Sequence, residues 1–244
     1  MEVSSTTEFW FWFGFVGMSL GSLGILLLGA KMKAAHRYHA FLAVAVTSIA
    51  TISYYALARG QADVTLGNGS VFFGRYADWL FTTPLLLLSL LVIALPAKSS
   101  DGNSREKASL IGGVILADVL MIATGFFADL SSNSVDKIVW YTASCLWLAI
   151  LIFVMYTVVQ RKADAVSAQT GKVYSQLLGY LSLLWVCYPI VWAFGSTGYQ
   201  VISIETEGAL YAILDVSAKA VFGIMTLVLV SKLKDSMTSS THRN

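Results

Sequence analysis

Apolar residues recur along the chain in seven long runs, at about 8–30, 38–59, 72–95, 107–128, 134–157, 174–196 and 208–232. Each approaches or exceeds the roughly 20 residues that a helix needs to cross a bilayer. The runs are rich in Leu, Ile, Val, Ala and aromatic residues and lack the period-two alternation of a membrane strand. The pattern therefore predicts helices and not a β-barrel. Short connections make sequential helices antiparallel. In the second connection, alternating residues around Gly67-Asn68-Gly69 fit either a short hairpin or a plain loop. The expected architecture is an all-α membrane protein: a seven-helix transmembrane domain over 1–234, followed by a short polar cytoplasmic tail over 235–244.

Composition agrees with this picture. Of 244 residues, 57% are hydrophobic and only 12% are charged, with a mean hydropathy of +0.70, where a soluble domain carries about 25% charged residues. Three prolines and no low-complexity linker point to one compact unit. A net charge of +2 is too small to suggest a nucleic-acid partner. Cys145 and Cys187 lie in apolar runs, where buried thiols are the ordinary reading. His36 and His39 fall in a basic loop and His242 in the tail, so all three read as solvated surface histidines and no metal site is expected. No Lys or Arg precedes the first run, Phe9 to Ala30, which favours a retained helix over a cleaved leader.

Charge placement orients the bundle. Lys31, Lys33, Arg37, Lys98, Arg105, Lys107, Arg161, Lys162, Lys172, Lys232, Lys234 and Arg243 fall on one side, against Arg59 and Lys137 on the other. The positive-inside rule then puts the N-terminus outside and the C-terminus in the cytoplasm of a multi-pass cell-membrane protein.

The two remaining basic residues, Arg75 and Lys219, lie inside spans. A lysine at the centre of a span costs about 2.5–3.5 kcal/mol on insertion scales and needs a partner or a task. Asp215, four residues earlier on the same face, offers a plain buried ion pair. The other reading is that the amine is condensed with an aldehyde, a known role for lysine in covalent chemistry. The third span supplies counter-charge: Asp78 and Thr82 share a face, Arg75 sits one turn further out, and Ser89 returns to that face about 16 Å deeper. Two anions and two cations make a nearly neutral intramembrane cluster. Trp79, Trp140, Trp185, Tyr188 and Trp192, with Tyr54 and Tyr211, read either as core fillers or as the box for a flat conjugated ligand. Pro84 and Pro189 interrupt the third and sixth spans.

These stretches carry a resemblance. Arg75-Tyr76-Ala77-Asp78-Trp79-Leu80-Phe81-Thr82-Thr83-Pro84, Trp185-Val186-Cys187-Tyr188-Pro189-Ile190-Val191-Trp192 and Leu214-Asp215-Val216-Ser217-Ala218-Lys219 resemble those of the microbial rhodopsins, close to bacteriorhodopsin-like proton pumps. The similarity covers all seven spans and fades in the loops. It implies all-trans retinal bound covalently as a Schiff base at Lys219. It further implies Asp78 as primary counterion and proton acceptor, Asp215 as second counterion, Arg75 as the group shuttling toward the exit, and Thr82 bonded to Asp78. The chromophore pocket would involve Trp79, Thr83, Leu86, Met121, Gly125, Trp140, Ser144, Trp185, Tyr188, Pro189 and Trp192. Tyr54 and Tyr188 would bond Asp215, and Asp118 would be a buried protonated acid bonded to Thr83.

Two departures qualify the resemblance. Ser89 stands where such pumps usually carry a carboxylic proton donor, and a serine hydroxyl does not ionise usefully. The cytoplasmic halves of the spans contain no Asp or Glu, so reprotonation would be slow and through water. On the exit side Glu207 matches one acid of the family's release pair, but Thr197 replaces the other. Early proton release is then not expected, with Glu205 as the nearby candidate to compensate. Tyr141 is bulky where antenna-binding members have glycine, so no antenna is expected.

The leading expectation is a light-driven outward proton pump and not an enzyme, seated in the lipid bilayer as a homo-oligomer. The alternative is a sensory photoreceptor signalling to a membrane transducer, although Ala218 replaces the threonine that such sensors carry before the lysine. A transporter using the Asp215–Lys219 pair without photochemistry is the third class. Asp78 argues against chloride pumping, and Asp78 with Thr82 departs from the sodium-pump pattern.

Overall fold

The computed structural model describes residues 5–66, 69–95 and 104–233. Seven helices are long and apolar enough to cross a membrane: α1 (Ser5–Ala30), α2 (Arg37–Ala58), α3 (Phe73–Ala94), α4 (Ser104–Leu130), α5 (Ser134–Val166), α6 (Ala168–Phe194) and α7 (Ile204–Val230). They form a ring in which α7 closes back on α1, and α3 packs against α2, α4 and α6. Large side chains such as Phe41, Ile52, Phe153 and Leu183 point outward, each at least 66% exposed. In water this girdle would be a liability, whereas in lipid it is the required surface.

The second connection is a hairpin: β1 (Val64–Leu66) pairs antiparallel with β2 (Gly69–Val71), with Val64 opposite Val71. Gly67 and Asn68 lie outside the described residues, as does the tail over 235–244. The bundle mouth carrying β1 and β2 is called the hairpin end below. It also receives the starts of α3, α5 and α7 and the ends of α4 and α6.

The helix ends differ from the apolar runs for local reasons. α5 continues about nine residues beyond its run because Val159 and Ala163 are fully buried. Gln160 Nε2 also donates to Asp164 (2.9 Å) and to the Gly171 carbonyl of α6 (3.2 Å). α6 starts early because Ser167 caps it, its hydroxyl accepting from Thr170 N at 3.0 Å. Asn133 and Ser203 cap α5 and α7 in the same way. α3 and α6 run through Pro84 and Pro189. Two wider π-turns interrupt the helices, Met155–Val159 in α5 and Ser217–Val221 in α7. Such turns cluster at functional positions, and the second contains Lys219.

His39 corrects the sequence reading. It sits in the first turn of α2, 1% exposed and against the Tyr38 ring, because the helix, and not the loop, takes up this position and turns it into the bundle. Its Nδ1 has no hydrogen-bond partner among the described residues.

Candidate functional site

α3 and α7 bring the expected charges together near the middle of the bundle. Lys219 is 2% exposed, and its Nζ pairs with Asp78 Oδ2 and, at 3.1 Å, with Asp215 Oδ1. The two carboxylates are held very differently. Asp215 accepts from Tyr54 (2.9 Å), Tyr188 (2.7 Å) and Trp79 Nε1 (3.2 Å) besides the lysine. Asp78 Oδ2 meets Lys219, while Asp78 Oδ1 has no hydrogen-bond partner among the described residues. The Trp79 contribution escapes a reading of the sequence, since only the tertiary fold turns that indole toward α7. The Tyr54 ring reaches Asp215 because residue 14 of α1 is glycine; a Cβ there would overlap the ring.

Thr82 bonds Asp78 through the backbone. Its hydroxyl donates to the Asp78 backbone carbonyl (2.9 Å), the i−4 bond typical of a helical threonine. Its side chain nevertheless remains against the Asp78 carboxyl. Thr83 contacts both the Trp79 carbonyl and Asp118 Oδ2, each at 2.8 Å.

A cavity of about 100 Å³ begins at Lys219 and is walled almost wholly by apolar groups. Its walls include Trp79, Thr83, Leu86, Met121, Gly125, Ser144, Trp185, Tyr188, Pro189 and Trp192, all expected from the sequence. Trp140 is the exception. It is 39% exposed on the outer face of α5 against Phe127, and the neighbouring Tyr141 lines the cavity instead, stacked on Trp192 at 4.6 Å between ring centroids. One residue is about 100° of helix rotation, which no run of apolar residues resolves. Tyr76, Ile122, Cys145, Leu148, Tyr211 and Ala218 also join the wall. A flat, elongated, largely apolar group ending in an aldehyde fits these walls and this amine.

Toward the hairpin end a second polar cluster follows. Arg75, 7% exposed, pairs through Nη1 with Glu207 Oε1 at 2.8 Å. Its guanidinium lies 4.7 Å from the Phe72 ring and 4.6 Å from the Tyr211 ring, within cation–π range. Glu207 Oε2 also accepts from the Ser196 amide (2.8 Å) and hydroxyl (2.7 Å). Gly195 permits this approach, since a Cβ there would stand 2.7 Å from Glu207 Oε2. Glu205 is half-buried in the first turn of α7. Asp129, which a sequence reading does not single out, belongs to this region and interacts with the Tyr76 and Thr197 side chains.

At the other end the polar chain stops. Ser89 is buried in α3. Among the described residues the buried carboxylates are Asp78, Asp118, Glu207 and Asp215, and none lies between Ser89 and that end.

Comparison with known proteins agrees with this geometry. Residues 5–233 match the Bacteriorhodopsin-like protein family. The chain is 34% identical to bacteriorhodopsin of Haloterrigena sp. (strain arg-4) over 224 residues, covering 89% of this chain and 86% of that protein. Among solved structures, thermophilic rhodopsin from Rubrobacter xylanophilus superposes with a TM-score of 0.85 at 32% identity, covering 92% of this chain and 95% of that one. The light-driven proton pump Coccomyxa subellipsoidea Rhodopsin gives 0.83 at 31%, covering 93% and 98%. With its seven membrane-length helices and its buried lysine at the mouth of an aromatic cavity, the chain belongs to the bacteriorhodopsin-like family of integral membrane proteins.

Proposed function

We propose that this protein is a light-driven outward proton pump with all-trans retinal held at Lys219 Nζ as a protonated Schiff base. The observation that carries this reading is the asymmetry between the two carboxylates. Asp215, with four donors around it, is committed as a fixed anion, because every donor lost would leave a buried partner unsatisfied. Asp78 has an open oxygen beside the same nitrogen and is the one able to take a proton.

The bound chromophore supplies light absorption and the change of shape that weakens the hold on the proton at Nζ. Asp78 receives that proton. Asp215 keeps its charge and position through Tyr54, Tyr188 and Trp79. Arg75, paired to Glu207 on the hairpin side, provides the positive charge toward which a negative exit site is organised. Trp185, Trp192, Tyr141 and Leu86 confine the cavity and exclude water. The Thr83 hydroxyl has one hydrogen and two acceptors at 2.8 Å, so the hydrogen count fits a neutral Asp118 donating back to it. Excess basic residues opposite the hairpin end support a cytoplasmic location for that mouth and hence outward transport. Ser89 supports reloading of Nζ from cytoplasmic water.

The test is illumination of unbuffered, retinal-fed cells with and without a protonophore. External acidification that the protonophore abolishes is expected. Coloured, well-expressed cells that produce no pH change would overturn the pump reading in favour of a sensor.

A further inference from the structure

Consecutive residues of the segment joining α6 to α7 engage two different acids at the hairpin end. Ser196 gives both its amide and its hydroxyl to Glu207. Thr197 interacts instead with Asp129, in the last turn of α4, whose carboxyl also meets the Tyr76 side chain and feels the charges of Arg75 and Glu207. Lys137 of α5 fixes Thr197 by donating to its carbonyl at 2.9 Å.

Asp129 is costly where it stands. The end of α4 presents the negative pole of the helix, and no basic residue lies in its last turn. Asp129 Oδ1 and Arg75 Nη2, both buried, have no hydrogen-bond partner among the described residues. A residue serving only to finish the helix would be basic or neutral. Glu205 is poorly placed for the same role, because positions two apart on one helix do not face each other. Glu207 therefore finds its companion on another helix.

We propose that Asp129 is the second carboxylate of the proton exit, holding jointly with Glu207 the proton that leaves at the hairpin end. This rests on the pump reading above. In the release step an O–H bond of the acid pair breaks, the proton passes to solvent water, and the pair is left one charge more negative. Arg75, whose Nη2 has no partner among the described residues, faces that charge. The proton parked on Asp78 later restores the pair. The charged and titratable groups around Asp129 are Arg75 and Tyr76 of α3, Glu207 and Tyr211 of α7, and Lys137 acting through Thr197. With Asp129 in place, the Thr197 substitution no longer removes the release pair, and early release is expected after all.

The experiment follows flash-induced proton release from the full-length, retinal-loaded protein with a pH-sensitive dye, read against the optical rise of the deprotonated pigment. In the parent, release should accompany that rise. In Asp129→Asn it should come about tenfold or more later, and Asp129→Glu should bring it forward again. Equal timing in parent and Asp129→Asn, or late release in the parent, overturns the proposal. If Asp129→Asn yields no pigment, Thr197→Val is measured in its place, and unchanged timing there counts against the proposal too. Late release with normal acidification under steady light refutes only the role of Asp129. No acidification by the parent refutes the pump.

Discussion

Replacing Asp78 by asparagine is expected to shift the pigment to longer wavelength and to stop transport. Asparagine has nearly the same shape, so the change removes a charge and a proton acceptor while leaving packing intact. The cation at Lys219 then keeps only Asp215, which already spends its lone pairs on Tyr54, Tyr188 and Trp79. Loss of the nearer anion destabilises the positive ground state relative to the excited state, in which the charge moves away from the nitrogen, and the absorption band moves to the red. Removing a positioned proton acceptor slows proton transfer by about 10²–10⁴-fold, enough to abolish measurable pumping. Absorption spectra and light-induced pH changes of parent and variant check both parts. An unchanged spectrum would mean that Asp78 is not the counterion. The arrangement tolerates the change structurally, since truncating one member of a buried pair is worst when no other partner remains, and here Asp215 remains.

The second large effect lies at the opposite mouth. With serine at 89 and no buried carboxylate beyond it among the described residues, protons must come from bulk water. The decay rate of the deprotonated pigment should therefore fall in proportion to proton concentration, about tenfold for each unit rise in pH. Ser89→Asp places an ionisable group in the buried stretch of α3 between Lys219 and that mouth, and should make the decay faster and nearly independent of pH in the alkaline range. The measurement is flash photolysis of both proteins across pH. A parent whose decay is already fast and flat would reveal an internal donor; His39, buried and with its Nδ1 unpartnered among the described residues, would then be the first residue to substitute.

Much of this architecture is legible before any coordinates, because lipid forces each span to be a long apolar helix whose few charges must meet. Lys219, Asp215 and Asp78 announce themselves by their cost in such a setting. Helix ends are less legible: α5 runs on through Gln160 and Asp164 because Val159 and Ala163 are buried and the Gly171 carbonyl of α6 accepts from Gln160, which are tertiary facts. The exchange of Trp140 for Tyr141 has the same origin, since both residues are aromatic and only the rotation of α5 decides which faces inward. Asp129 is hidden for a different reason. At the end of an apolar run an acid reads as ordinary surface, and its neighbours Tyr76 and Thr197 come from distant parts of the chain.

Transfer of a proton from Lys219 Nζ to Asp78 is the step on which the account depends. Time-resolved infrared difference spectroscopy of the parent, Asp78→Asn and Asp78→Glu proteins observes it directly. A carboxylic C=O band should rise together with the optical signal of the deprotonated pigment, vanish in Asp78→Asn, and shift in frequency in Asp78→Glu. Deprotonation of the pigment with no such band, or a band that survives in Asp78→Asn, would contradict the assignment of Asp78 as acceptor.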